Sequence, residues 1–204
     1  NIHPSVSTKE PTDGNLKAIV DRFYDGMVRC NDSVLKRLVV ENEDKGCWNC
    51  MNLFVYFHQY MGHQHRHIMP LTYDNLHDEC NSSALNGNSV TIAQNIDAFS
   101  KTWPDNITPV FHWSNGKPDS KRSHADFADG TPPEHDRPLI WEVEVKKKDF
   151  AIAKLQGKTP TAAHPKKKAI KKTPKVETSV KKILKNIQKT SPQPKQSFNH
   201  LYGE

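Results

Sequence analysis

The chain has 204 residues, enough for one domain of ordinary size or a smaller domain with tails, and it holds no run of about 18 apolar residues of the kind a membrane-spanning helix needs. Its net charge of +6 conceals two populations: residues 156–204 carry 12 Lys and no Arg against Glu177 and Glu204, a net of +10, which leaves −4 for residues 1–155. A basic tail on a mildly acidic body makes the overall pI a property of the tail, and it points to a polyanionic partner. Cys30, Cys47, Cys50 and Cys80 do not form the dense pattern of a secreted disulfide framework, so a reducing, intracellular home is expected. The opening "NIHPSVSTKE" lacks the basic and apolar pattern of a signal peptide, and a start at Asn1 suggests a chain that was processed, tagged or cut from a longer one.

Taken in chain order, residues 1–3 ("NIH") read as the end of a strand. Asn15–Cys30 follows the Gly14 breaker and has helical spacing at Leu16, Ile19, Val20, Phe23 and Met27. "RLVVE" reads as a strand, Met51–Met61 as a helix, and Ile68–Asp74 as a strand despite Pro70. Val90–Trp103 reads as a helix with Ile92, Ile96 and Phe99 on one face. Ile107–Trp113 and Pro138–Val145 read as strands, and Lys147–Leu155 as a short last helix. Roughly five strands alternating with helices argue for an α/β fold with a parallel sheet, whose strands, buried on both faces, read as near-continuous apolar runs. The expected domains are residues 1–155 as the folded body and 156–204 as a Lys-rich tail. The tail's Pro, Lys, Ala and Thr cannot bury a core, which predicts disorder. Within it, Val180, Ile183, Leu184 and Ile187 have the spacing of a short basic amphipathic helix that orders on contact with a partner.

The segment "RLVVENED" frames the functional question. Leu38–Glu41 looks like a buried strand that should continue, yet it ends in a carboxylate. The other strand candidates end the same way: His3 closes the first, Asp74 the third with His77 three residues on, and His112 the fourth. Glu144 lies near the end of the fifth, and His124 follows in the long loop after the fourth. The carboxyl ends of parallel strands are where α/β barrels place chemistry. Acids converging in a cleft repel one another and raise their own pKa values, and cations offset that repulsion. Carboxylates suit Mn²⁺ and Mg²⁺, and imidazole extends the range to Zn²⁺.

"RLVVENEDKGCW", "PLTYDNLH", "FHWSNGKPDSKRSHADF" and "WEVEVKKKD" resemble, in order and spacing, consecutive motifs of the UV damage endonuclease family. The resemblance covers about residues 1–155. It implies a metal-dependent TIM-barrel nuclease that nicks double-stranded DNA on the 5′ side of ultraviolet photoproducts. It implies that Glu41 bridges two metals, that His3 binds one of them, and that Asp74, His112 and Glu144 hold a second. His77 and His124 would hold a third, with Asp126 as an alternative donor. It casts Glu41 and Glu144 as catalytic. The implied cofactor is a set of divalent ions, Mn²⁺ first, with Mg²⁺, Zn²⁺ or Co²⁺ as alternatives. Lys146 and Lys148, and Lys166, Lys167 and Lys168 in the tail, are candidate DNA contacts through counterion release.

Two departures from the family pattern stand out. Val110 occupies the place of a family Lys two residues before the strand-end His, a Lys modified to an extra acidic group in some members. The chain also corresponds to strands four to eight only. This predicts a partial barrel: a gene fragment, one half of a split enzyme, or a chain lacking its first part, with a separate N-terminal barrel half as the partner. Five strands leave two open sheet edges that must be paired or covered.

Plainer readings stand beside these. Glu41 could cap the next helix, Asp74 and His77 could form a local Asx turn, and His112 could be a hydrogen-bonded core histidine. Cys47 and Cys50 have the spacing of a redox pair, against two buried thiols. "HQHRH", residues 63–67, could scavenge metal, against a solvated loop. Rival functions are an apurinic-site endonuclease, a sugar isomerase of the xylose isomerase kind, or a non-catalytic basic DNA-binding fragment. The +10 tail argues against a small neutral sugar as substrate.

Overall fold

The computed structural model describes residues 1–85 and 88–158. Lys166, Lys167 and Lys168, the expected helix around residues 180–187 and the expected disorder of the tail lie outside the described residues. Among the described residues, no helix is long and apolar enough to cross a membrane.

The backbone pairs in parallel and in chain order. Ile2 bridges Val40, and β1 (Val40–Glu41) pairs with β2 (Leu71–Thr72). Asp74 bridges His112 in β5 (Val110–Trp113), and β5 pairs with β8 (Ile140–Val143) in the register Val110↔Ile140 to Trp113↔Val143. The crossovers up to β5 contain helix, the usual way to join parallel neighbours, whereas the β5–β8 crossover carries a hairpin instead. Between Ile2 and β1 lie α1 (Asp13–Met27) and α2 (Asp32–Leu35). Between β1 and β2 lie α3 (Cys50–Asn52), a π-helical stretch (Leu53–Tyr60) and α4 (Met61–His65). After β2 come α5 (Asn75–Cys80) and α6 (Ile92–Ser100), and α7 (Asp149–Leu155) follows β8. Two antiparallel hairpins, β3–β4 (Ala84–Leu85, Asn88–Ser89) and β6–β7 (Gly116–Lys117, Ser120–His124), decorate the connections.

The elements follow from local chemistry. Thr12 caps α1 by accepting from the Asn15 amide, Asp13 adds negative charge in the first turn, and Leu16, Ile19, Val20 and Met27 turn inward. Gly14 therefore sits inside the first turn of α1 and does not precede it; the Thr12 cap overrides the breaker. Thr91 and Gln94 form a capping box at the start of α6. Ile96 and Phe99 are buried as expected, but Ile92 is exposed, because α6 begins at Ile92 and its first turn projects past the core. The core joins α1, the Leu53–Tyr60 stretch and the inner strands through Trp48, Phe57, Tyr73, Phe99 and Phe111, with Phe57 meeting Phe23 and Trp48 edge-on. Each such ring contributes roughly 1.5–3 kcal/mol on burial.

Several expectations change in detail. The helix expected over Met51–Met61 runs on through α4 to His65. His65 is not in a solvated loop: its Nε2 lies 2.7 Å from Asp21 and its ring stacks on Tyr24 at 4.1 Å. Within the expected strand Ile68–Asp74 only Leu71 and Thr72 form a strand, with Asp74 in a single bridge, and Ile68 is exposed. Pro70 keeps its carbonyl in the ladder, accepting from Val40, but has no amide to donate. The connection after β5 is not one long loop, because it contains the β6–β7 hairpin. The closeness of that hairpin depends on Gly116, where a Cβ would lie 2.1 Å from the Lys121 carbonyl oxygen.

Candidate metal centre

The parallel register carries the strand ends to one place. Glu41 ends β1 with its side chain almost fully buried, although the last residue of an apolar strand would ordinarily be expected to avoid carrying a charge there. Its carboxylate is surrounded by partners. Oε1 lies 3.1 Å from His112 Nδ1 and 3.4 Å from His77 Nδ1, and Oε2 lies 3.6 Å from His3 Nε2 and accepts from the Asn1 side chain. Asp74 is fully buried and does two jobs. Its Oδ1 accepts the His77 amide at 2.8 Å, capping α5, while Oδ2 has no hydrogen-bond partner and lies 3.8 Å from His112 Nδ1. His112 Nδ1 is also 3.7 Å from Glu144 Oε1, and its Nε2 is 3.3 Å from Glu142 Oε2. His124 Nε2 lies 3.9 Å from Glu144 Oε2.

Two clusters result, His3–Glu41–His77 and Glu41–Asp74–His112. Each has ligating atoms within 4.8 Å of one another, and they share Glu41. Electrostatics follow from the crowding. Burial alone would raise the Glu41 carboxyl, but the His112 hydrogen bond and the charges of His112, His3 and His77 outweigh it and hold it below the ordinary value. Burial would lower His112, but its hydrogen bond to Glu41 and the charges of Glu41, Glu144 and Asp74 raise it to about 9. Without a cation, His112 is therefore the cation of the centre.

Backbone geometry holds the ligand candidates. Asn42 exchanges two hydrogen bonds with the Asp74 backbone, at 3.0 and 2.8 Å, and its own carbonyl lies 2.8 Å from His77 Nδ1. That contact puts the proton of neutral His77 on Nδ1 and leaves Nε2 bare. Asn75 clasps the Ser114 backbone in the same two-bond way beyond the end of β5. Ser5, in the loop after His3, has φ 54 and donates its amide to Glu43 at 2.7 Å. A groove of about 570 Å³ opens beside His3 and His77, lined by Ser5, Ser7, Glu43, Asp44 and Lys45.

Of the sequence candidates, His3, Glu41, Asp74, His77 and His112 come together, and Glu144 and His124 adjoin them. Asp126 instead faces Lys147 at 3.8 Å. Asp74 forms the local cap through Oδ1 and faces His112 through Oδ2, so its two oxygens act separately. Lys146 and Lys148 flank Glu144 on the rim. The Lys117 ammonium beside Lys146 holds that amine below the usual lysine range, so two cations lie together there. Cys47 and Cys50 are both buried free thiols, and burial with the Asp78 charge pushes the Cys50 thiol far up, the reverse of an activated redox pair.

Sequence reading missed Asn1, Asn42, Lys117 and Glu142. Asn42 lies within the family-like motif "RLVVENEDKGCW", but its role, made of side-chain contacts to the Asp74 backbone, is not visible in the motif. Glu142 did carry a signal: in "WEVEV" it shares a strand face with Glu144.

No curated protein matches the chain. The crystal structure of SacUVDE matches with a TM-score of 0.56 at 22% identity, over 76% of this chain and 48% of that one. The likeness establishes a shared fold, and the chain spans about half the length of that solved protein. A family model described as UV-endonuclease UvdE matches residues 11–179, and the chain therefore belongs to the UV-endonuclease UvdE family.

Proposed function

We propose that this chain is the carboxyl-terminal part of a TIM-barrel, metal-dependent DNA repair endonuclease that hydrolyses the phosphodiester 5′ to ultraviolet photoproducts. The observation that carries the reading is the buried Glu41–Asp74–His112 group in a chain of this family. A buried carboxylate oxygen without a partner, Asp74 Oδ2, is costly unless something cationic meets it, and the surrounding donors are the oxygen and imidazole set that divalent ions take. Glu41, His3, Asp74, His112 and Glu144 would hold two cations, and His77 and His124 a third; Mn²⁺ is the first choice. When bound, the cations would neutralise the acids and supply positive charge to a phosphodiester under attack.

The chain's own residues would do the rest. Glu41 and Glu144 would set the charge and spacing of the centre, and buried Asn42 would keep Asp74 and His77 in place. Lys146 and Lys148, with Lys117 nearby, would take the phosphates of double-stranded DNA, and Lys166, Lys167 and Lys168 would tether the duplex through counterion release, inside the cell where the DNA is. Three further β/α units, on the same polypeptide or a separate one, would close the barrel. The chain-order parallel pairing supports this. So does a groove of about 830 Å³ bordered by Thr72, Val110, His112 and Glu142, which such units would cover.

The half-length match favours one second reading, that the chain alone binds DNA without cutting it. Nicking of irradiated, apurinic and untreated supercoiled plasmid with Mn²⁺, by the chain alone and with the missing units supplied, separates the readings. Selective nicking of irradiated plasmid by the completed barrel is expected. Preference for apurinic plasmid would move the assignment to an apurinic-site enzyme. Binding without cleavage under every complementation would leave the non-catalytic reading.

A further inference from the structure

Glu142 has no part in the ligand set above, yet it touches the centre of it. It pairs in register with His112 across the parallel β5–β8 ladder. Its Oε2 lies 3.3 Å from His112 Nε2, while the other ring nitrogen, Nδ1, faces Glu41 at 3.1 Å, Glu144 at 3.7 Å and Asp74 at 3.8 Å. One imidazole thus has three acids at one nitrogen and a fourth at the other. The arrangement comes directly from strand geometry. Glu142 and Glu144 are two residues apart and project to the same face of β8, and His112 lies between them with one nitrogen toward each.

An imidazole binds a cation through a bare nitrogen, which requires its proton to sit on the other nitrogen. We propose that Glu142 is a positioning residue that accepts the Nε2 proton of His112, so that Nδ1 is the nitrogen presented to a divalent cation among Glu41, Asp74 and Glu144. The inference rests on the reading of this centre as a cation site. Glu142 lies on the far side of the ring from those three acids, and its side chain is 64% exposed against 2% for Glu41 and 0% for Asp74. It therefore acts through His112 and not as a member of the buried set. In the metal-free centre Nδ1 donates to Glu41; when a cation displaces that proton, Glu142 is the group that holds the remaining one at Nε2.

The test uses the full chain, freed of metal, with Glu142→Gln and Glu142→Ala. Mn²⁺ is titrated calorimetrically, and the His112 ring protons are followed by NMR in the metal-free proteins. The Ala variant should bind Mn²⁺ about 10–100-fold more weakly and lose a slowly exchanging Nε2 proton signal. The Gln variant, whose amide oxygen still accepts that proton, should keep the signal and stay within a few-fold of the parent. Unfolding curves without metal should coincide for all three, which separates positioning from folding. Unchanged Mn²⁺ affinity in the Ala variant overturns the role of Glu142 alone, and so does a Gln variant as weak as the Ala one. A parent chain that binds no Mn²⁺ overturns the cation-site reading and this proposal with it.

Discussion

Glu41 Oε1 lies 3.1 Å from His112 Nδ1, although 71 residues separate the two in the chain. Each stands in its own strand, and the strands are not neighbours: β2 lies between them. The contact exists because Glu41 ends β1 and His112 is held beside Asp74, so that both face one interior. Burying such a pair is costly, and only good geometry with further partners offsets the cost. His3, His77, Asp74 and Glu144 are those partners.

Removing one member of the pair should therefore be severe. In chelator, Glu41→Ala should lower the unfolding free energy by about 3–5 kcal/mol, because the His112 charge is left buried without its closest counterion. Urea unfolding measures this, and a loss below about 1 kcal/mol would mean that the pair does not organise the centre.

Asp74→Asn separates the two jobs of that residue. The amide oxygen can still accept from the His77 amide and cap α5, while the unpartnered charge at Oδ2 disappears. Metal-free stability should change by no more than about 1 kcal/mol, because relief of the unpartnered oxygen is set against loss of a charge 3.8 Å from His112 Nδ1, while Mn²⁺ affinity should fall at least about ten-fold. Calorimetric titration alongside thermal melts would reveal both changes, and a parallel loss of stability and affinity would count against separate roles.

Stability without metal should depend on pH through His112. Its pKa is raised from 6.5 to about 9, so its contribution is complete below about pH 6.5 and is lost as pH rises through 9. The loss should reach at most about 3 kcal/mol. Glu41, held below its ordinary 4.5, contributes above that value and loses its contribution as pH falls through its lower folded pKa. Melts from pH 5 to 10 should slope downward above about 6.5 in the parent and flatten in His112→Asn. Saturating Mn²⁺ should compete with the His112 proton, lower its apparent pKa in the folded chain and so remove the downward slope.

Phe57 is fully buried between Phe23 and Trp48. Phe57→Ala should destabilise by about 3–5 kcal/mol, as cavity formation adds to lost transfer energy. Denaturant midpoints at constant slope would check it, and a small effect would mean that the helix layer collapses to fill the gap.

Removing residues 159–204 should weaken DNA binding uniformly across sequences. It should also lower the slope of log affinity against log salt by about 0.9 for each phosphate that the tail lysines no longer neutralise. Filter binding at several salt concentrations measures the slope, and an unchanged slope would remove the tail from the DNA interface.

Much of this was legible in the one-dimensional pattern. Apolar runs ending in Glu41, Asp74 and His112 announce strands with ionisable groups at their ends, and the spacing of Leu16, Ile19 and Val20 announces the face of α1 that is buried. These are local properties: side-chain periodicity and capping act over a few residues, so sequence by itself determined the alternation of elements and the kinds of group available. It did not determine that His65 would leave solvent for Asp21 and Tyr24, nor that Asp74 would split its oxygens between a helix cap and the centre. Nor did it decide which nitrogen of His112 faces which acid. Those depend on the register between strands some thirty or more residues apart, where one step along the ladder exchanges inward for outward. Only tertiary structure sets that register, because it is chosen by the packing of the whole layer.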